Sequence, residues 1–221
     1  MTVTKTRGLP AIEPYPMPGA ADLPVNRVDW TLEPSRAVLL VHDMQNYFLR
    51  AFRRAASPMT ELVANIRRIS ERGRELGIPV VYSAQPGGQS TDERGLQLDM
   101  WGKGIGADPQ DAAIFAEVEP SEEDIHMTKW RYNAFHRTTL STVLADNNRD
   151  QLVITGIYAH IGCMMTAADA FMRDIQSFFV ADAVADFSRA DHDMALRYVA
   201  NRCGVVTTTG GLLSTWEGEE A

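Results

Sequence analysis

The chain has 221 residues, 45% hydrophobic and 23% charged, which suffices for one large core without requiring a second domain. Its 21 basic and 29 acidic side chains leave a formal charge of −8, which argues against a nucleic-acid binder, since that needs a basic face. No stretch approaches the roughly 18–20 uninterrupted apolar residues of a membrane span, and the N-terminus has no apolar run of signal-peptide length. Cys163 and Cys203 are the only cysteines, too few for a disulfide framework and without Cys-x-x-Cys metal spacing, so the cytoplasm is the expected compartment.

Residues 8 to 35 hold six of the eleven prolines, a density that forbids helix. Leu23, Val25, Val28, Trp30 and Leu32 make this segment too apolar for a free tail. Residues 1–35 therefore read as an extended arm packed on the core or on a neighbouring subunit. The run AVLLVH at 37–42 ends at Asp43 and has the pattern of a strand buried on both faces. Ser57-Pro58 suggests an N-cap and first-turn proline for a helix carrying Leu62, Val63, Ile66, Ile69 and Leu76, with Gly77 closing it. A second strand follows at 78–83. Residues 86–111, rich in Gly, Asp and Gln, read as a long loop of the kind that often carries function.

A short strand at 125–128 leads to Lys129, a helix covers 138–147, and a strand covers 151–156. Ile161, Met164, Met165, Ala168, Phe171, Met172 and Ile175 trace one face of the next helix. A strand at 177–183 precedes Ser188-x-x-Asp191, a capping-box pattern opening a helix to about residue 203. The run GVVTTT at 204–209 ends the sheet, and 210–221 reads as a C-terminal tail with a solvated acidic end. Strand–helix alternation predicts a single α/β domain, a three-layer fold whose central parallel sheet of about six strands is flanked by helices.

In such a sheet, ligands bind beyond the carboxyl ends of the strands. Asp43 follows the first strand, Lys129 the third and Cys163 the fourth, while Gln85 and Tyr158 hold comparable positions. Each has a structural alternative: a helix cap for the Asp, a surface ion pair for the Lys, a small core hydrophobe for the Cys. Cys163 stands in a helix first turn, where N–H groups and the helix dipole favour a thiolate. Cys203 lacks that setting and reads as structural. His42, His126, His136, His160 and His192 show no metal-ligand spacing, so no metal site is assigned. Gly102, Gly104 and Gly106 follow no strand and form no G-x-G-x-x-G, so a dinucleotide site is not expected.

Four segments together resemble the isochorismatase family: LLVHDMQNYFL at 39–49, TKWRYNAF at 128–135, TGIYAHIGCMMTAADAFMRDI at 155–175 and VADAVADFSRADHDMAL at 180–196. The resemblance runs from the proline-rich arm to about residue 209. It implies a Rossmann-like α/β domain that hydrolyses the enolpyruvyl vinyl ether of isochorismate to pyruvate and 2,3-dihydroxy-2,3-dihydrobenzoate, a catechol-siderophore precursor, with no metal or organic cofactor. The family's Asp–Lys–Cys constellation falls on Asp43, Lys129 and Cys163. Asp43 is the expected general acid, and Lys129 and Arg94 are the expected carboxylate binders. Gln85, Trp101, Tyr158, Phe48 and the backbone near Gly162 complete the expected substrate pocket.

The resemblance also implies a small-molecule substrate, a homodimer and, as a separate partner, an aryl carrier protein. GGLLS at 210–214 is followed by no carrier-type helix pattern, so no carrier domain is expected within these residues. Three other readings stay open. A phenazine-pathway relative hydrolyses the 2-amino analogue of isochorismate. An amidohydrolase would use Cys163 as nucleophile and Asp43 as base. A non-catalytic member would only bind a partner.

Overall fold

A computed structural model describes residues 9–218. The strands are β1 (Ala37–His42), β2 (Val80–Ala84), β3 (Ile125–Thr128), β4 (Gln151–Ile157), β5 (Gln176–Ala185) and β6 (Gly204–Thr207). They form one parallel sheet in the order β3-β2-β1-β4-β5-β6. The helices are α1 (Asn46–Leu49), α2 (Met59–Glu75), α3 (Thr91–Arg94), α4 (Gln97–Trp101), α5 (Pro109–Ala112), α6 (Leu140–Asp146), α7 (Met164–Met172), α8 (Arg189–Arg202) and α9 (Thr209–Glu217). The predicted α/β class with its parallel sheet is the observed one.

The continuous apolar run of β1 has a direct cause: its alternate residues enter two different cores. Ala37, Leu39 and Val41 pack with Leu62, Ile66 and Ile69 of α2 and with Trp216 of α9. Val38 and Leu40 pack with Leu140 and Leu144 of α6, Ala167 and Ala170 of α7, and Leu196 and Val199 of α8. The arm lies along this frame through Ile12 N–H to Ala51 O at 2.9 Å, Tyr15 N–H to Ser57 O at 3.2 Å and Arg27 N–H to Ala200 O at 3.0 Å.

Four local expectations are corrected. Ser57 does not cap α2. Its hydroxyl instead accepts the Met17 N–H at 3.0 Å, tying down the arm, and Pro58 stands at the cap position. The long loop at 86–111 contains α3, α4 and α5, the first capped by Ser90 with a reciprocal bond from its N–H to Glu93. On α7 the buried face is Met164, Thr166, Ala167 and Ala170, while Phe171 and Met172 are 49% and 73% exposed. Small side chains let the helix settle close on the sheet, and this outweighs the larger apolar residues of the expected stripe. The supposed tail contains α9, capped by Thr208 and holding Trp216 fully buried; residues 219–221 lie outside the described residues. Ser188 does cap α8, accepting the Asp191 N–H at 3.1 Å.

Candidate active site

The chain lays β1, β2 and β3 outward in one direction, then returns to place β4 on the other flank of β1. That reversal opens a crevice beyond the carboxyl ends of β1 and β4, where ligands bind in open α/β sheets. A pocket of about 490 Å³, open mouth included, occupies it. Asp43, Gln85, Arg94, Trp101, Lys129, Tyr158, Gly162 and Phe48 all line this pocket, so eight of the nine expected site residues converge. Cys163 does not.

Asp43 leaves β1 with φ 48°, a left-handed backbone that non-glycine residues adopt at a cost of order 1–3 kcal/mol and that clusters at functional sites. Its carboxylate is 4% exposed and accepts from three donors: the Ser83 hydroxyl at 2.7 Å, Lys129 Nζ at 2.8 Å and Gln85 Nε2 at 3.0 Å. Burial alone would raise its pKa, but the Lys129 ammonium and these donors carry it below the usual carboxylate range. Asp43 is therefore ionised in the free protein. Beside it, burial lowers the His42 imidazole to a pKa of about 4, so this ring is neutral. Its Nδ1 lies 2.8 Å from Ile157 O and its Nε2 3.2 Å from Tyr132 O.

Lys129 follows β3 and is 1% exposed. Besides Asp43 it donates to Arg131 O at 2.5 Å and Tyr132 O at 3.5 Å, because the turn after β3 folds these carbonyls back over the ammonium. All three N–H donors are committed within the protein. Lys129 lines the pocket as expected, and its ammonium is paired with the Asp43 carboxylate.

Arg94 is the contrasting cation. It is 5% exposed, and among the described residues no carboxylate pairs with it. Its Nη1 donates to the Gln85 side-chain oxygen at 3.2 Å, so the amide of Gln85 bridges Arg94 and Asp43. A buried guanidinium without a counter-ion is costly unless an anion completes it.

Aromatic rings form the remaining wall. Trp101 Nε1 donates to the Tyr132 hydroxyl at 2.6 Å. Tyr158 and Phe187 lie 4.2 Å apart between ring centroids, and Phe48 meets Tyr158 edge-on. The Tyr158 hydroxyl is engaged with Phe48 O at 2.9 Å.

The chain after β4 makes a π-helical turn, Ala159–Cys163, before α7 begins. The wider turn shifts the phase of the side chains relative to an α-helix. Gly162 consequently meets the pocket, and a Cβ there would lie 2.2 Å from His42 Cε1. Cys163 turns into the core beside Ala167 and Leu40, fully buried, with Sγ 4.0 Å from Thr155 O. Burial pushes its thiol well above the ordinary range, and the Asp43 charge adds to this. Core residues thus surround the Cys163 thiol, and its burial opposes the thiolate expected in a helix first turn. His160 fixes the same turn from outside: its Nδ1 is 2.6 Å from Asp186 Oδ1, which raises its pKa.

Sequence reasoning missed Leu9, His42, Tyr47, Gln97, Tyr132, Ile157, Ile161 and Phe187 in the lining. Phe187 comes two residues after β5, so the strand-end rule that found Asp43 would also have found it. Leu9 comes from the arm and carries no local signal.

Fold and site together define a doubly wound α/β protein whose switch-point pocket joins a carboxylate–ammonium pair to a buried arginine. A family model described as the isochorismatase domain matches residues 37–210, and the chain belongs to that family. It is 56% identical over 205 residues to the isochorismatase of Bacillus subtilis, covering 93% of this chain and 66% of that protein. The chain thus spans just under two thirds of that relative's length. It is 48% identical over 206 residues to phenazine biosynthesis protein PhzD1 of Pseudomonas aeruginosa, covering 93% of this chain and 99% of that one. The solved structure of a cysteine hydrolase from Pseudomonas syringae pv. phaseolicola shares the fold with TM-score 0.79 at 23% identity, over 88% of this chain and 98% of that one.

Proposed function

We propose that this chain hydrolyses the enolpyruvyl ether of isochorismate to pyruvate and 2,3-dihydroxy-2,3-dihydrobenzoate. A proton adds to the terminal methylene carbon, giving an oxocarbenium ion. Water captures that ion, and the hemiketal collapses to the ketone of pyruvate and the ring alcohol. Asp43 is the acid. Ionised in the free protein, it takes up its proton when the dianionic substrate docks beside it. Lys129 holds Asp43, Gln85 ties it to Arg94, and Arg94 receives a substrate carboxylate through a forked pair of N–H groups. Phe48, Trp101, Tyr158 and Phe187 enclose the ring.

The observation that carries this reading is the pair of charges in one pocket: an Asp paired with its own Lys, and a buried Arg that pairs with no carboxylate among the described residues. The siderophore-type reading is supported by the Bacillus relative; the likeness to PhzD1 supports the 2-amino analogue as the second substrate to test. The amidohydrolase reading loses support because Cys163 faces the core. The family resemblance supports a homodimer working beside a separate aryl carrier protein, and the scarcity of cysteines supports a reducing cytoplasm.

The test is incubation with isochorismate, its 2-amino analogue and nicotinamide, assaying pyruvate and ammonia. In deuterium oxide, freshly quenched pyruvate should carry one solvent deuteron in its methyl group. Ammonia from nicotinamide without pyruvate from either ether would overturn the proposal.

Two further outcomes are expected. Arg94→Ala should raise KM by about 10-fold or more with a smaller change in kcat, since a charge-assisted contact to a carboxylate is worth about 1.5–3 kcal/mol; an unchanged KM would remove Arg94 from the substrate site. Cys163→Ala should keep kcat within about 10-fold, roughly 1.4 kcal/mol of barrier, because no bond to sulfur forms. Native Cys163 should also resist iodoacetamide until the protein unfolds, given its burial and raised pKa.

A further inference from the structure

Gly102, Gly104 and Gly106 fit no phosphate-binding pattern, yet Gly102 and Gly104 meet the guanidinium of Arg94, which among the described residues pairs with no carboxylate. Arg94 Nε donates to Gly102 O at 3.0 Å. The guanidinium lies flat against Gly104: a Cβ built there would stand 2.6 Å from Arg94 Cζ, 2.7 Å from Nη2 and 3.0 Å from Nε. Gly104 also holds φ +71°, a left-handed backbone that glycine adopts without penalty. The loop is pinned from behind by Ile105, which is buried and whose carbonyl accepts the Gly88 N–H at 3.0 Å. The other hydrogen bonds run from Arg94 Nη1 to the amide oxygens of Gln85 at 3.2 Å and Gln97 at 3.4 Å.

Among the described residues, every acceptor around this guanidinium is neutral. Amide and carbonyl oxygens orient a cation without cancelling it. A carboxylate in their place would form a charge-assisted pair and compete with any incoming anion.

We infer that Gly104 and Gln97 are positioning residues of the substrate site: the 102–106 loop and Gln97 form a neutral cradle that presents Arg94 to the substrate carboxylate with its charge unspent. This rests on the reading of Arg94 as the carboxylate anchor. A side chain at residue 104 displaces the guanidinium, and an acid at residue 97 neutralises it. Gln97→Glu is close to isosteric and leaves the loop alone, so it tests the cradle even where Gly104→Ala impairs folding.

The experiment compares wild type, Gly104→Ala, Gln97→Glu, Arg94→Ala and the two double variants, with a thermal melt of each. Isochorismate kinetics supply one readout, and calorimetric titration with 2,3-dihydroxybenzoate, an aromatic carboxylate, supplies a second that needs no turnover. Each single cradle variant should raise KM and the probe's Kd by about 10-fold while kcat stays within about threefold. In the Arg94→Ala background neither should add more than about twofold, because coupled residues are not additive. Single variants within about twofold of wild type, or penalties that persist in full without Arg94, would overturn the cradle. A wild type that binds the probe but does not hydrolyse isochorismate overturns the proposed function and leaves the cradle judged by binding. A wild type that does neither overturns both.

Discussion

Asp43→Asn is expected to lower kcat for isochorismate by about 10²–10⁴-fold, the usual contribution of a positioned general acid, while KM changes far less. Asparagine keeps the size of the side chain and an acceptor oxygen, but it has no proton to give to carbon. The residue's setting makes the loss hard to replace. Its backbone is turned left-handed at φ 48°, and its carboxylate is held by Ser83, Gln85 and Lys129. Within the pocket, Tyr158 is tied to Phe48 O and has its pKa raised well above the ordinary phenol range by burial, so it is a weak substitute acid. Steady-state pyruvate release checks this; an Asn variant with more than about a tenth of wild-type kcat would remove Asp43 from the acid role.

The second large effect belongs to Lys129→Met, which strips the buried carboxylate of its counter-charge. Breaking a buried ion pair from one side costs about 3–5 kcal/mol, so this variant should lose stability as well as turnover. The pH dependence separates this cause from simple misfit. In the wild type Asp43 is depressed below its unfolded pKa, so it contributes stability above that value and loses it as pH falls through the folded pKa. Without Lys129, burial, the largest influence on this carboxyl, is opposed only by His42, Ser83 and Gln85, so the folded pKa is expected to rise above the unfolded one and the charged form to be penalised at neutral pH. The stability deficit of the variant should therefore narrow as pH is lowered from about 7 toward about 4, near the unfolded Asp value. Denaturant midpoints across that range measure it, and a deficit independent of pH would disprove the uncompensated charge.

The sheet was legible because strands buried on both faces leave unbroken apolar runs, and Leu39 and Leu40 must each find a different core. Asp43, Gln85 and Lys129 were legible because each stands just past a strand end, where the fold itself places ligands. What escaped reading depends on local phase. The first-turn setting expected for Cys163 is altered by the π-helical turn ahead of α7, and the expected Phe171–Met172 stripe yields to a buried face of small residues on the same helix. The neutral surroundings of Arg94 depend on a loop brought back over the pocket, and no spacing rule links residue 94 to residues 97 and 104. Trp216 was hidden by its acidic neighbours at the chain end, although it is among the largest fully buried side chains.

The bond between Asp43 and Lys129 reaches across an entire strand. β1 carries the acid and the segment after β3 carries the ammonium, with β2 between them. β3 is also the sheet's outermost strand on that side, four residues long and paired only with β2. Edge elements open at lower free energy than the centre of a sheet, on their own and well before the whole molecule unfolds. Fraying of this one short edge withdraws the partner of Asp43 while β1, β4 and β5 stay intact. With Asp43 as the proposed acid, activity is expected to be lost when this edge opens, while most amide hydrogens remain shielded from exchange.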